Sequence, residues 1–172
     1  MRFLISQGCD RLRILGIDPG YAIVGYGILD YDGYKFKPAG YGAITTEAGT
    51  PFNLRLLDIY NDMCTVLDTF KPDAMSIEKL FFNTNQKTGI DVAEARGIII
   101  LAAVQRGIEV FEYTPLQVKQ SVVGYGRAEK KQVMEMTRSI LGLAHVPKPD
   151  DTADALALAI CHGHSSSAIK LE

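Results

Sequence analysis

The sequence predicts an α/β fold, a mixed five-stranded sheet built from an antiparallel meander plus parallel strands, with helices on both faces. Three observations point to it. Three apolar segments follow one another near the N-terminus with only short turns between them, which is the pattern of a meander. After Pro51 strand-like and helix-like segments alternate, as parallel strands joined by helical crossovers require. The chain has 172 residues, 47% of them hydrophobic, which suffices for one well-filled core.

Residues 12–18 and 21–30 are apolar runs joined by Asp18-Pro19-Gly20, good tight-turn chemistry, and read as a hairpin. Residues 34–46 supply a third strand, interrupted by Pro38 and Gly40. Residues 51–70 read as a helix with Leu54, Leu57, Cys64 and Leu67 near one stripe, and Lys71-Pro72-Asp73 stops it. Residues 74–78 form a short strand closing on Glu78. A second helix spans 87–106, and its nearly all-apolar stretch from Ile98 to Val104 needs cover on most sides, by the sheet or by another subunit. Residues 108–113 are the fifth strand, 115–122 and 128–141 are helices, and a final helix starts near Asp151 and runs through Ile160. No repeat, low-complexity stretch or linker divides the chain, so residues 1–172 read as a single domain.

No apolar run approaches the ~20 residues of a membrane span, and the apolar stretch at the start is too short for a signal peptide. The expected location is the cytoplasm. Cys9, Cys64 and Cys161 are an odd, widely spaced set, the usage of free reduced thiols. Cys161-His162-Gly163-His164 lacks the second ligand pair that a zinc site needs, which favours a structural role. A net charge of −2 gives no global sign of nucleic-acid binding. Locally the balance differs. Between Thr114 and Lys131 the cations Lys119, Arg127, Lys130 and Lys131 face only Glu129, a net of +3.

The carboxylates carry the functional argument. Asp18 and Glu78 each close an apolar strand, where packing has no use for a charge. Side by side and parallel, the two strands would bring both acids out at one sheet edge, where open α/β sheets bind ligands. Asp151 and Asp154 lie three apart, so on a helix they share a face with Cβ atoms about 5–6 Å apart. Turn propensity alone would account for Asp18, and helix capping for Asp150 or Asp151. Capping accounts less well for Asp154, set among Ala153, Ala155, Leu156 and Ala157. Four converging acids repel unless a counter-charge intervenes. Divalent ions with a preference for hard oxygen resolve that, and a pair about 3.5–4 Å apart clamps the attacking and leaving oxygens of phosphoryl displacement.

Gly16-Ile17-Asp18-Pro19-Gly20, Ile77-Glu78, Ala95-Arg96-Gly97, the run from Val118 to Lys130 and Asp151-Thr152-Ala153-Asp154-Ala155-Leu156-Ala157 together strongly resemble the RuvC family. These are the bacterial crossover-junction endodeoxyribonucleases that resolve Holliday junctions. The resemblance extends in order from about Arg13 to His164. It implies a ribonuclease-H-like fold and a homodimer whose subunits each nick one of two like-polarity strands of four-way junction DNA. It also implies a role in recombination and repair, beside the branch-migration helicase formed by RuvA and RuvB. The cofactor implied is Mg²⁺, two ions per subunit, with Mn²⁺ a usual substitute.

By the same resemblance Asp18, Glu78, Asp151 and Asp154 are the catalytic acids and metal ligands. Some members carry histidine where Asp151 stands, which implies that this position tunes a metal or water. Lys119 and Lys130 match residues near the scissile phosphate, and Arg127 and Lys131 are expected to add phosphate contacts. Phe81 matches an aromatic that stacks on an unpaired base at the crossover; Phe82 fits either stacking or core. Residues 1–11 extend beyond the usual start, and 165–172 make a short tail in which Leu171-Glu172 has the look of a cloning remnant. Two rivals stand beside this reading. A sugar-kinase or actin-type phosphotransferase shares the opening strand-turn-strand but needs a second half that 172 residues cannot hold. A non-catalytic or RNA-directed ribonuclease-H-like relative would keep the fold with a different use.

Overall fold

A computed structural model of the chain describes residues 11–80 and 86–169. Most of the N-terminal extension, Phe81, Phe82 and Leu171-Glu172 lie outside the described residues. The strands β1 (Leu12–Asp18), β2 (Ile23–Tyr31) and β3 (Phe36–Thr45) are followed by α1 (Phe52–Phe70), β4 (Ala74–Glu78), α2 (Gln86–Val104) and β5 (Glu109–Tyr113). Three helices end the chain, α3 (Pro115–Val123), α4 (Lys130–Ile140) and α5 (Asp150–Ile169). The sheet order is β3-β2-β1-β4-β5. The first three strands pair antiparallel, whereas β1–β4 and β4–β5 are parallel. The expected meander-plus-parallel sheet is what forms, with β1 at its centre.

Alternation along β1 divides the core. Leu15 and Ile17 point to one face and pack with Met75, Ile77, Ile59 and Met63 of α1, and Ile99 and Ala102 of α2. Ile14 points to the other face and packs with Leu29 and with Leu156 and Ile160 of α5, where α3 and α4 close the layer through Val122 and Val133.

On this second face α5 lies directly on the strands. A Cβ added to Gly16 would stand 1.9 Å from the carbonyl oxygen of Ala155, and one on Gly25 would stand 2.0 Å from that of Asp151. Gly27 is covered in the same way by Leu156. Two side-chain bonds fix the helix further. The Ser76 hydroxyl of β4 donates to the Leu158 carbonyl (2.7 Å), and the Thr152 hydroxyl donates to the Gly42 carbonyl (3.0 Å).

The tail is shorter than expected, because α5 continues through Ile169. Residues 165–169 are its last turns. Ser165 and Ser166 donate back to the Cys161 and Gly163 carbonyls, so a serine-rich stretch that reads as a tail stays helical. In the Cys161-His162-Gly163-His164 stretch the first three residues are buried and His164 is exposed. Cys161 and His162 are buried, and His162 Nδ1 shares a 2.8 Å hydrogen bond with the Tyr113 hydroxyl. Cys64 and Cys161 are free.

The α5–sheet contact leaves no room for a methyl group. Gly16→Ala should therefore cost about 3 kcal/mol, at the upper end of over-packing effects. Urea denaturation measures it, and a loss below about 0.5 kcal/mol would show that α5 can lift off the strand freely.

Candidate active site

Period two along β1 puts Asp18 on the same face as Ile14 and Gly16, toward α5. Along β4 it puts Glu78 on the face of Ser76, whose hydroxyl bonds to α5. The strands are parallel neighbours, with Ile17 opposite Ile77, so Asp18 and Glu78 leave the sheet together at its carboxyl edge. From α5, Asp154 lies one turn before Leu158, the residue Ser76 holds. The three acids line one cleft of about 300 Å³ with Lys119, Lys130, Pro115, Val118 and Leu158.

Local sequence presents the two lysines. Thr114 caps α3, its hydroxyl accepting from the Gln117 N–H (3.2 Å) while Gln117 Oε1 accepts from the Thr114 N–H (2.8 Å). Lys119 lies one turn in, half-buried, on the cleft wall. At the head of α4 the Gln132 side chain accepts from the Glu129 N–H (2.8 Å), which starts the helix at Lys130. Lys130 Nζ reaches Asp154 Oδ2 at 2.8 Å.

The cleft is short of positive charge. Burial, reinforced by Asp154, Glu78 and Asp151, pushes the Asp18 carboxyl up to about 8 against the partial relief of Lys130. Burial and Asp154 raise Glu78. Burial raises Asp154 too, against the opposing hydrogen bond from Lys130, and the same bond raises the Lys130 ammonium. Three half-buried acids thus share the cleft with two lysines, of which Lys130 is paired to Asp154. Among the described residues, no three histidine, cysteine or acidic side chains stand close enough to enclose an ion as they are. The donor set nevertheless fits a hard divalent cation: it is all carboxylate oxygen, half-buried and electrostatically uncompensated.

The expected residues do not all meet here. Asp151 is half-buried and acts on Asp18 and Asp154 through its charge, but it does not line the cleft. Asp150 is held aside by Lys148 at 2.5 Å. Lys131 lines an adjoining hollow with Lys130, Lys148 and Met134. Arg127 is exposed and lines neither. Phe81 lies outside the described residues. Sequence reasoning missed Ser76 and Glu112. A lone serine in an otherwise apolar buried strand was the available signal for the first, whereas Glu112 gives none.

A family model described as crossover junction endodeoxyribonuclease RuvC matches residues 14–162. The chain belongs to the RuvC family. A Ruminiclostridium cellulolyticum protein of that name is 60% identical over 152 residues, covering 88% of this chain and 92% of the relative. One from Brevibacillus brevis is 56% identical over 160 residues, covering 93% and 96%. Among solved structures, Thermus thermophilus RuvC in complex with Holliday junction substrate aligns with a TM-score of 0.86 at 34% identity, over 91% of this chain and 96% of that one. The mixed sheet with α5 across its centre is the ribonuclease-H-like fold of this family.

A carboxyl whose pKa is higher folded than unfolded binds its proton more tightly in the native state. Its contribution to stability is therefore present at low pH and is lost as pH rises from about 4 to about 8. With chelator present, Asp18→Asn should match the wild type near pH 4 and exceed it by roughly 1–3 kcal/mol at pH 8. Calorimetric melting across that range checks this, and a gap that stays constant with pH would contradict it.

Proposed function

We propose that this chain resolves four-way DNA junctions as a metal-dependent, structure-selective endonuclease, a single ribonuclease-H-like nuclease domain acting as a homodimer. The observation that carries the reading is the emergence of Asp18 from the central strand into a cleft shared with Glu78 and Asp154. Membership of the RuvC family supports the same activity. Asp18, Glu78 and Asp154, with Asp151 beside them on α5, would hold Mg²⁺, two ions per subunit, with Mn²⁺ able to substitute. When bound, such ions activate water and neutralise the charge that develops on the leaving oxygen.

The remaining chemistry belongs to the chain. Asp18, at the end of the central strand β1, would be held in place by sheet neighbours on both sides. Lys130 keeps the cleft from full repulsion before DNA arrives, then turns from Asp154 to a phosphate oxygen. Lys119, which lines the same cleft, contacts the scissile phosphate. Pro115 and Val118 give part of the cleft an apolar lining, beside which these interactions are stronger than in open water. Attack of water on phosphorus breaks the bond to the 3′ oxygen, leaving a 3′ hydroxyl and a 5′ phosphate that ligase can seal.

Around the cleft, Arg127 and Lys131 add phosphate contacts whose strength falls with salt. Phe81, three residues beyond Glu78, stacks on an unpaired base at the crossover, worth ~1–3 kcal/mol. Pairing of subunits through α2 is supported by its exposed Ile90, Leu101 and Val104. The protein acts in the cytoplasm on recombination intermediates, beside RuvA and RuvB. None of the described helices is long and apolar enough to cross a membrane.

The test uses an end-labelled mobile four-way junction with Mg²⁺. The wild type should leave paired symmetric nicks, and Glu78→Gln should bind the junction but cleave it at least roughly 100-fold more slowly, the scale of lost Lewis-acid stabilisation. Binding without cleavage by both proteins would indicate a non-catalytic module, and preference for an RNA junction at matched salt an RNA-directed relative.

A further inference from the structure

Ala95-Arg96-Gly97 is part of the family pattern, yet Arg96 has no role in the site as described. It lies on α2, outside the cleft, with its side chain 14% exposed. Its Nε donates to the main-chain carbonyl of Glu78 at 3.1 Å, and its terminal nitrogen pairs with Glu112. Glu112 sits on β5 beside Tyr113, the residue opposite Glu78 in the sheet. One guanidinium therefore ties α2, the last residue of β4 and β5 together.

The tie falls where the backbone is about to leave the sheet. Glu78 ends β4, and the next residue, Lys79, donates its N–H to the Tyr113 carbonyl at 2.9 Å. The Glu78 carboxyl feels the charges of Asp154, Asp18 and Lys130. Arg96 spends its charge on Glu112 and meets Glu78 through the main chain. It is therefore built to set where the carboxylate points rather than to neutralise it.

We propose that Arg96, pinned by Glu112, is a positioning residue that clamps the Glu78 carbonyl and thereby aims the Glu78 carboxylate into the cleft. The inference rests on the proposed metal-holding role of Glu78. A planar fork reaching two acceptors at once suits this task, and a lysine ammonium on a flexible stem does not reproduce it. Small misplacements of a reacting constellation are costly, about 100-fold for 1 Å.

Wild type, Arg96→Gln, Arg96→Lys and Glu112→Gln are titrated with Mn²⁺ by calorimetry, well below their melting temperatures, and assayed on the four-way junction. Arg96→Gln should bind Mn²⁺ ~10–100-fold more weakly, the usual cost of losing a partner that orients a ligand. Junction affinity in chelator should be unchanged, and excess Mn²⁺ should restore cleavage, which neither a folding defect nor a lost DNA contact would allow. Arg96→Lys should resemble Arg96→Gln. Glu112→Gln, which keeps the carbonyl bond but frees the guanidinium, should show a smaller shift and serves as the test if Arg96→Gln fails to fold. An unchanged Mn²⁺ isotherm, or weakened junction binding with normal Mn²⁺ affinity, overturns the assignment. Weaker Mn²⁺ binding by Arg96→Gln, alongside a wild type that binds Mn²⁺ but cuts no junction, would support this inference and sink the proposed substrate. A wild type that binds no Mn²⁺ would sink both.

Discussion

Everything about the cleft depends on how closely α5 approaches the sheet. Its backbone touches β1 and β2 at Gly16 and Gly25, where no other side chain fits. That contact sets the height of Asp154 above the strand ends from which Asp18 and Glu78 emerge. The Ser76–Leu158 bond sets its position along them. A helix held a side chain's width farther out would leave the same acids on the surface, solvated and apart, with ordinary acidity. Close packing concentrates the charge.

Concentrating the acids has an electrostatic cost. Three acids share a half-buried cleft with one paired lysine, and their raised affinity for protons is the signature of that strain. Elsewhere the chain treats acids differently. Asp30 is gripped by Arg13 at 2.7 Å and Asp68 by Arg106 at 2.6 Å, and both are driven toward ionisation. The contrast separates acids that tie elements together from acids crowded into the cleft with too little positive charge. Within the cleft the Lys130–Asp154 pair supplies a partial counter-charge to the acids.

Period-two and period-3.6 patterns placed nearly every element, because each strand and helix buries a face that the sequence writes locally. Asp18 and Glu78 were legible for the same reason, as carboxylates at the ends of apolar runs. What escaped depends on contacts between distant elements. The glycines of β1 and β2 gave no hint that a helix rests on them. Glu112 reads as one more exposed acid on a strand, and only the fold brings it to Arg96. Asp151 and Asp154 share a helix face in sequence; Asp154 lines the cleft, and Asp151 acts on it from beside through its charge. Lys130 borders both the cleft and the neighbouring hollow, whereas Lys131, 100° further round the helix, borders only the hollow.

The central claim is that the acids at the carboxyl edge of β1 and β4 hold divalent metal with Asp154. Anomalous diffraction from crystals soaked in Mn²⁺ would test it most directly. The account predicts Mn²⁺ peaks in the cleft within about 2.5 Å of oxygens from Asp18 and at least one of Glu78 and Asp154, a bonding distance for a hard cation. Peaks confined to other surfaces, or none while the cleft keeps its Lys130–Asp154 pair, would contradict it.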